Sequence, residues 1–396
     1  MKMRAYNAAT VLKLSSRPVL AAFFEHERCM KNVEFNKARL HEIQEAFGAL
    51  PEKVRHRIEP TMRKVFDFAH SELSMLTLVD EIKKYHNTDD RDIISDFCQK
   101  KNRYDQAFFI YMNYPDIWDR ACRYVPIDSL PHRYWTRFNG LPRRKPNTDA
   151  DSLRALGQSI SDYYMSKQIR GKRYVVEHSA RTESDHCFYV FLSDYANNYE
   201  SWEGDNDMLT CRNESRPISM VLAYDETFGT LDTHAHGGHE IAEALNESFC
   251  RVILNQEMTS SRSIKSAFRI AHLVLRENML KAFPEIGVMK ATLTSAEFVT
   301  RENGKRHTTK LSIDKKTQDN GDMFNRIEQC FPKMGDNTRV RAVQIILELV
   351  VSGIHREMSI ELSNNSCSLR SNSEELRLLG EEFLKRSGID EQPELF

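Results

Sequence analysis

The sequence predicts an α+β protein: a helical N-terminal domain followed by a mostly antiparallel sheet domain covered by helices. Three observations point there. Ahead of residue 131 apolar side chains recur at helical spacing. Beyond residue 170 the pattern changes to short runs rich in β-branched and aromatic residues. Asn303-Gly304 lies between two such runs, and this pair supplies the positive backbone angles of a tight hairpin. A chain of 396 residues exceeds one ordinary core. It divides, on this reading, into a helical domain over 1–138, a basic proline-rich linker over 139–151 and an α+β sheet domain over 152–396.

Each element has its own signal. Ser16 ahead of Pro18 marks a helix start, because proline tolerates the first turn, where backbone donors lack partners anyway. A second helix is predicted over 31–47 from Val33, Leu40, Ile43 and Phe47, stopping at Gly48. Pro51 opens a third, with Val54, Ile58, Met62, Val65 and Phe66 on one face. SELSMLTLVDEIKKY, RDIISDFCQKKN and YDQAFFIYMNY continue the helical half. A helix over 151–166 leads into strands at RYVVEH, CFYVFLSDY and RPISMVLAYD. The runs flanking Asn303-Gly304 form one hairpin, and RAVQIILELVV with MSIELS forms another around Gly353. In the last arm Met358, Ile360 and Leu362 alternate with Glu357, Ser359 and Glu361, one buried face against one wet face. Helices near 239–254, 262–281 and 373–387 cover the sheet.

Composition narrows the function classes. Hydrophobic content of 40% and charged content of 29% are those of a folded soluble protein. Basic and acidic residues balance, 56 against 57, which excludes a globally basic nucleic-acid binder but not a local basic face. The eight cysteines are scattered singly, which suits reduced, mostly buried thiols in a cytoplasm rather than a disulfide framework or a zinc ribbon. Arg17 and Pro18 interrupt the early apolar residues, so no signal peptide is expected. AVQIILELVVSGI is too short to span a membrane and contains Gln344 and Glu348.

The conspicuous motif is DTHAHGGHE, Asp232 to Glu240. Side chains alternate along a strand, so Asp232, His234 and His236 share a face, and a helix starting near His239 could add a third imidazole. Three nitrogens and a water suit a hydrolytic zinc ion. The spacing His-x-His-x-x-His resembles the start of the metallo-β-lactamase motif, with Gly238 where that family carries an aspartate. HEIAE at His239 and HEIQE at His41 each miss the zincin helix pattern at the second ligand, Glu243 and Glu45. The alternative is a strand with Leu231, Thr233 and Ala235 inward and Asp232, His234 and His236 in water, turning at Gly237-Gly238 into a helix.

A second feature is a basic segment. Between Pro131 and Arg181 eleven Lys or Arg stand against four acids, and rings interleave with them. The candidate contacts are Arg133, Trp135, Arg137, Arg143, Arg144, Lys145, Arg170, Lys172 and Arg173. Cations neutralise phosphates and exposed rings stack on bases, so nucleic acid is one partner; an acidic protein is the other. Solvated linker charges around core aromatics are the plain alternative. Phosphate-loop, dinucleotide and nucleophile-elbow motifs are absent from the sequence. Asp89, Asp90 and Asp92 suit a polar turn, while Glu203, Asp205 and Asp207 could take a divalent cation or form a polar loop.

The stretch AYDETFGTLDTHAHGGHEIAEALNESFCRVIL has Tyr224-Asp225 at a strand end, Gly229 in a turn, Leu231, Gly237-Gly238 and a helix to Leu254. With LSNNSCSLR and LKRSGI near the end, it resembles an uncharacterised bacterial family associated with mobile-element and phage-defence loci. The resemblance implies a bacterial accessory or sensor protein and brings no catalytic residues. The expectation is therefore a cytoplasmic, non-enzymatic binding or regulatory protein without cofactor, or a subunit of a larger complex. The alternative is a zinc-dependent hydrolase using His234, His236 and His239.

Overall fold

A computed structural model describes residues 5–86, 93–202, 209–257, 267–332, 337–351 and 353–390. The chain folds as two compact units, one comprising 1–130 with 370–378, the other 131–369 with 379–396. The boundary falls at 130/131, so the basic segment 139–151 lies inside the second unit rather than between the two. The α+β class holds: helices come first and antiparallel sheets follow.

The first unit contains α1 (Ala8–Leu14), α2 (Arg17–His26), α3 (Leu40–Gly48), α4 (Glu52–His70), α5 (Glu72–His86), α6 (Ile93–Cys98), α7 (Arg103–Asn113) and α8 (Pro115–Asp128). Local chemistry sets several starts. Asn7 and Asn102 accept backbone amides of the first turns of α1 and α7, and Pro18 sits in the first turn of α2. The inward faces meet in a core of Leu20, Phe23, Phe24, Ile58, Met62, Val65, Phe108 and Ala121. Each fully buried phenylalanine there contributes about 1.5–3 kcal/mol. The helix predicted over 31–47 begins only at Leu40. Arg28 and Met30 take φ of 54° and 51°, turning the chain, and Glu42 accepts the Arg39 amide at 2.7 Å to start the helix late.

The second unit is built on two sheets. The first runs β1 (Trp135–Phe138), β7 (Thr230–His234), β6 (Pro217–Asp225), β3 (Asp185–Ser193), β2 (Tyr174–Ala180), each pair antiparallel. The helices α9 (Ala150–Gln168) and α10 (His239–Val252) cover one face over Phe188, Val190, Leu222, Tyr224 and Leu231. A two-stranded ribbon, β4 (Asn197–Trp202) with β5 (Leu209–Glu214), is inserted between β3 and β6. The second sheet has the order β11 (Ile354–Ser363), β10 (Thr338–Val351), β8 (Val288–Glu302), β9 (Lys305–Ser312), again antiparallel. Both predicted hairpins form, and in β11 Met358, Ile360 and Leu362 are buried while Glu357, Ser359 and Glu361 are exposed. Two helices complete the chain, α11 (Asn320–Cys330) and α12 (Glu374–Arg386).

Of the helix predicted over 262–281, residues 262–266 lie outside the described residues, and the rest forms only short 3-10 turns at Ala271–Val274 and Arg276–Asn278. None of the eight cysteines is in a disulfide; four are buried, but Cys98, Cys211 and Cys330 are exposed, against the expectation of mostly buried thiols. Among the described residues no helix is long and apolar enough to cross a membrane.

Candidate functional site

The histidine motif does not form one site. β7 lies between β1 and β6, and Asp232 and His234 are buried at 4% and 2% exposure by the side chains packed over their face, so the expectation of a wet strand edge is corrected. Trp135-Thr-Arg-Phe is too short a stretch to announce a strand, yet as β1 it closes that edge. Cross-strand from Asp232 stands Arg137, 5% exposed, with its Nε and Nη2 donating to the two carboxylate oxygens at 2.7 and 2.9 Å. Asp390 and Glu381 approach the same guanidinium at 3.4 and 3.3 Å. Burial alone would lower its pKa, and the charge and hydrogen bonds of Asp232 outweigh this, holding it well above the usual value.

His234 packs among rings: Trp135 at 5.2 Å, Tyr134 at 5.8 Å and His236 at 5.8 Å between centroids. Burial, then the neighbouring His236, pushes its pKa down to about 4, so it is neutral. Its Nε2 and the indole nitrogen of Trp135 are both buried without a hydrogen-bond partner. His236 is exposed and lies against Tyr134 at 4.0 Å. Gly237 and Gly238, with φ of 117° and 85°, swing the chain into α10, where His239 is exposed and 3.4 Å from Glu243. His234 is buried and His236 exposed against the same Tyr134 ring, while His239 is exposed on α10 beside Glu243. Among the described residues no group of three or more His, Cys, Asp or Glu side chains is placed to hold a metal ion. Asp89, Asp90, Asp92, Glu203, Asp205 and Asp207 lie outside the described residues.

The basic segment separates into interior and surface members. Trp135 and Arg137 are interior, so neither presents a face to a partner in this arrangement. Arg133 is exposed over the ring of Tyr134 at 4.6 Å. Arg143, Arg144 and Lys145 are exposed on a loop that the rest of the unit fixes in place. The Leu141 amide donates to Gly229, the Asn147 amide donates to Ile253, and the Tyr224 hydroxyl lies among the carbonyls of Pro142 and Arg144 and the Arg144 amide. At the opposite end of the sheet, Lys172 and Arg173 are exposed beside Arg170, which donates to Asp194 at 2.8 Å. Arg143, Arg144, Lys145, Lys172 and Arg173 have no ion-pair partner among the described residues.

Four residues outside the segment share the surface of Lys172 and Arg173: Asp194, Tyr195, Tyr199 and Arg216. Tyr195 is 54% exposed, Arg216 lies 4.0 Å over the ring of Tyr199, and Asp194 donates its amide to the Arg216 carbonyl. The signal available in the sequence was the pair of short runs NNYESW and LTCRNE around a Gly-Asp-Asn-Asp stretch, a hairpin pattern that brings these positions together. Compared with protein-family models and with characterised proteins, the chain matches none.

Proposed function

We propose that this chain is a non-enzymatic binding protein, an accessory or regulatory subunit of a cytoplasmic bacterial system of the phage-defence kind, and that it contacts nucleic acid through cations on its sheet unit. The observation that carries the reading is the fixed loop bearing Arg143, Arg144 and Lys145, three consecutive exposed cations without ion-pair partners among the described residues. Backbone bonds hold the loop before any partner arrives, so little ordering cost remains on binding. Cations left unpaired in a chain of balanced charge favour a polyanion, and counterion release from phosphates supplies most of such affinity. The zinc-hydrolase alternative, with His234, His236 and His239 as ligands, gains no support from a motif in which His234 is buried while His236 and His239 are exposed.

The test is equilibrium binding of a labelled single-stranded oligonucleotide over a range of salt. The expected result is a steep fall in affinity with salt, and in an Arg143→Ala/Arg144→Ala/Lys145→Ala variant a slope shallower by about 2, since each phosphate contact on a single strand contributes about 0.7. Absence of binding at low salt sinks the nucleic-acid reading. An acidic protein that co-purifies in place of nucleic acid would redirect it to the other partner class.

A further inference from the structure

The ribbon β4–β5 leaves the sheet where β3 ends and β6 begins, and its base carries cations set against rings, Arg170 over Tyr195 and Arg216 over Tyr199. Two strand ends and the end of α9 are tied together there. Gly171 donates its amide to the Ser193 carbonyl at 2.9 Å, Ser193 donates to Arg173 at 2.8 Å, and the Ser215 hydroxyl donates to Asp194 at 2.6 Å. On this support stand Lys172, Arg173 and Arg216, all exposed.

Tyr195 differs from an ordinary surface tyrosine. Its hydroxyl donates to the Gln168 carbonyl at the end of α9, and the Arg170 guanidinium lies 5.5 Å from its ring centre, itself held by Asp194 and Gln168. The ring is therefore fixed in orientation at both its rim and its face while 54% of the residue is exposed. A flat, immobilised, accessible ring flanked by cations is the arrangement that stacks an unpaired base while its phosphates meet the charges. Among the described residues the acids nearby are Asp194, engaged with Arg170, and Glu200 and Glu214 on the ribbon.

We infer that the base of this ribbon takes a single nucleic-acid strand, one base stacking on Tyr195 while Lys172, Arg173 and Arg216 meet phosphates. This rests on the nucleic-acid reading above and assigns the strand to the ribbon end of the sheet, apart from the loop 143–145. A duplex keeps its bases stacked on one another and gains nothing from the ring.

The experiment measures binding of the full chain to labelled oligothymidylate and to its duplex with oligoadenylate. Tyr195→Ala is expected to weaken the single strand roughly 5- to 100-fold, the range for removing one stacking ring, and to leave the duplex unchanged. Tyr195→Phe keeps the ring and is expected to keep most of the affinity. Lys172→Ala/Arg173→Ala is expected to make the salt slope shallower by about 1.4. If Tyr195→Ala and the Lys172/Arg173 variant bind as the unaltered protein does while the 143–145 variant loses binding, the ribbon site is overturned and the nucleic-acid reading survives. A duplex bound more tightly than the strand, and equally weakened by Tyr195→Ala, overturns the single-strand assignment. No binding by the unaltered protein removes both.

Discussion

His234 is a base kept neutral by its surroundings, and this has a pH consequence. Its folded pKa of about 4 lies below the ordinary value near 6.5, so the unfolded chain takes up the proton first. Its contribution to stability is fully present above about pH 6.5 and is lost as pH falls towards 4, a loss on the order of 3 kcal/mol when complete. His178, which is 3.1 Å from His186 and also depressed to about 4 by burial and by that neighbour, acts in the same window. The urea midpoint is expected to fall between pH 7 and pH 4.5, and His234→Phe, which fills the ring site without titrating, is expected to flatten part of that fall. An unchanged pH dependence in His234→Phe would show that His234 does not carry it. None of this was legible in DTHAHGGHE alone. Alternation placed Asp232 and His234 on one face correctly, but both faces of β7 are dry, and on the face of Asp232 this depends on Arg137, which lies 95 positions away along the chain. The same distance hid the fact that Arg137 is a core cation rather than a contact.

At the scale of elements, the hairpins were the most legible parts because their turn chemistry is local. Asn303 and Gly304 adopt φ of 50° and 76°, and Glu302 pairs with Lys305 across a two-residue turn. A Cβ added at Gly304 would meet no atom within 4 Å, so Gly304→Ala isolates the backbone cost, about 1–2 kcal/mol. A lowered thermal midpoint together with faster amide exchange in β8 and β9 is the expected readout; an unchanged midpoint would mean that the turn tolerates another shape. Elements whose signals are tertiary were missed. β1 exists because β7 offers it an edge, and α11, although capped by Asp319, is short and polar. The late start of α3 follows from left-handed residues at Arg28 and Met30, types that seldom adopt such angles and give no warning in sequence.

For the whole molecule, the basic segment that is continuous in sequence becomes discontinuous in space. The loop 143–145 lies by Tyr224 near the end of β6, whereas Lys172 and Arg173 lie by Ser193, which pairs with Pro217 at its beginning. Nine residues of extended chain separate these ends by about 26 Å, equivalent to about eight stacked nucleotides. Affinity for oligothymidylates is therefore expected to rise steeply once the strand is long enough to reach both groups, by a factor of roughly 10² or more. A length series settles it, and a gradual rise with no step would leave only one of the groups in use. The α+β order of the chain was readable from periodicity, because helix and strand repeats differ. The division at 130/131 was not, since the proline- and arginine-rich stretch that looks like a connector is tied internally to Tyr224, Gly229 and Ile253.

The ribbon branches off beyond the last pair of β3 with β6, Ser193 with Pro217, and its two strands form a sheet of their own. Such an outgrowth can lengthen, shorten or exchange its side chains without disturbing the platform beneath it. Relatives of this chain would then share the platform and differ in what they hold out from it.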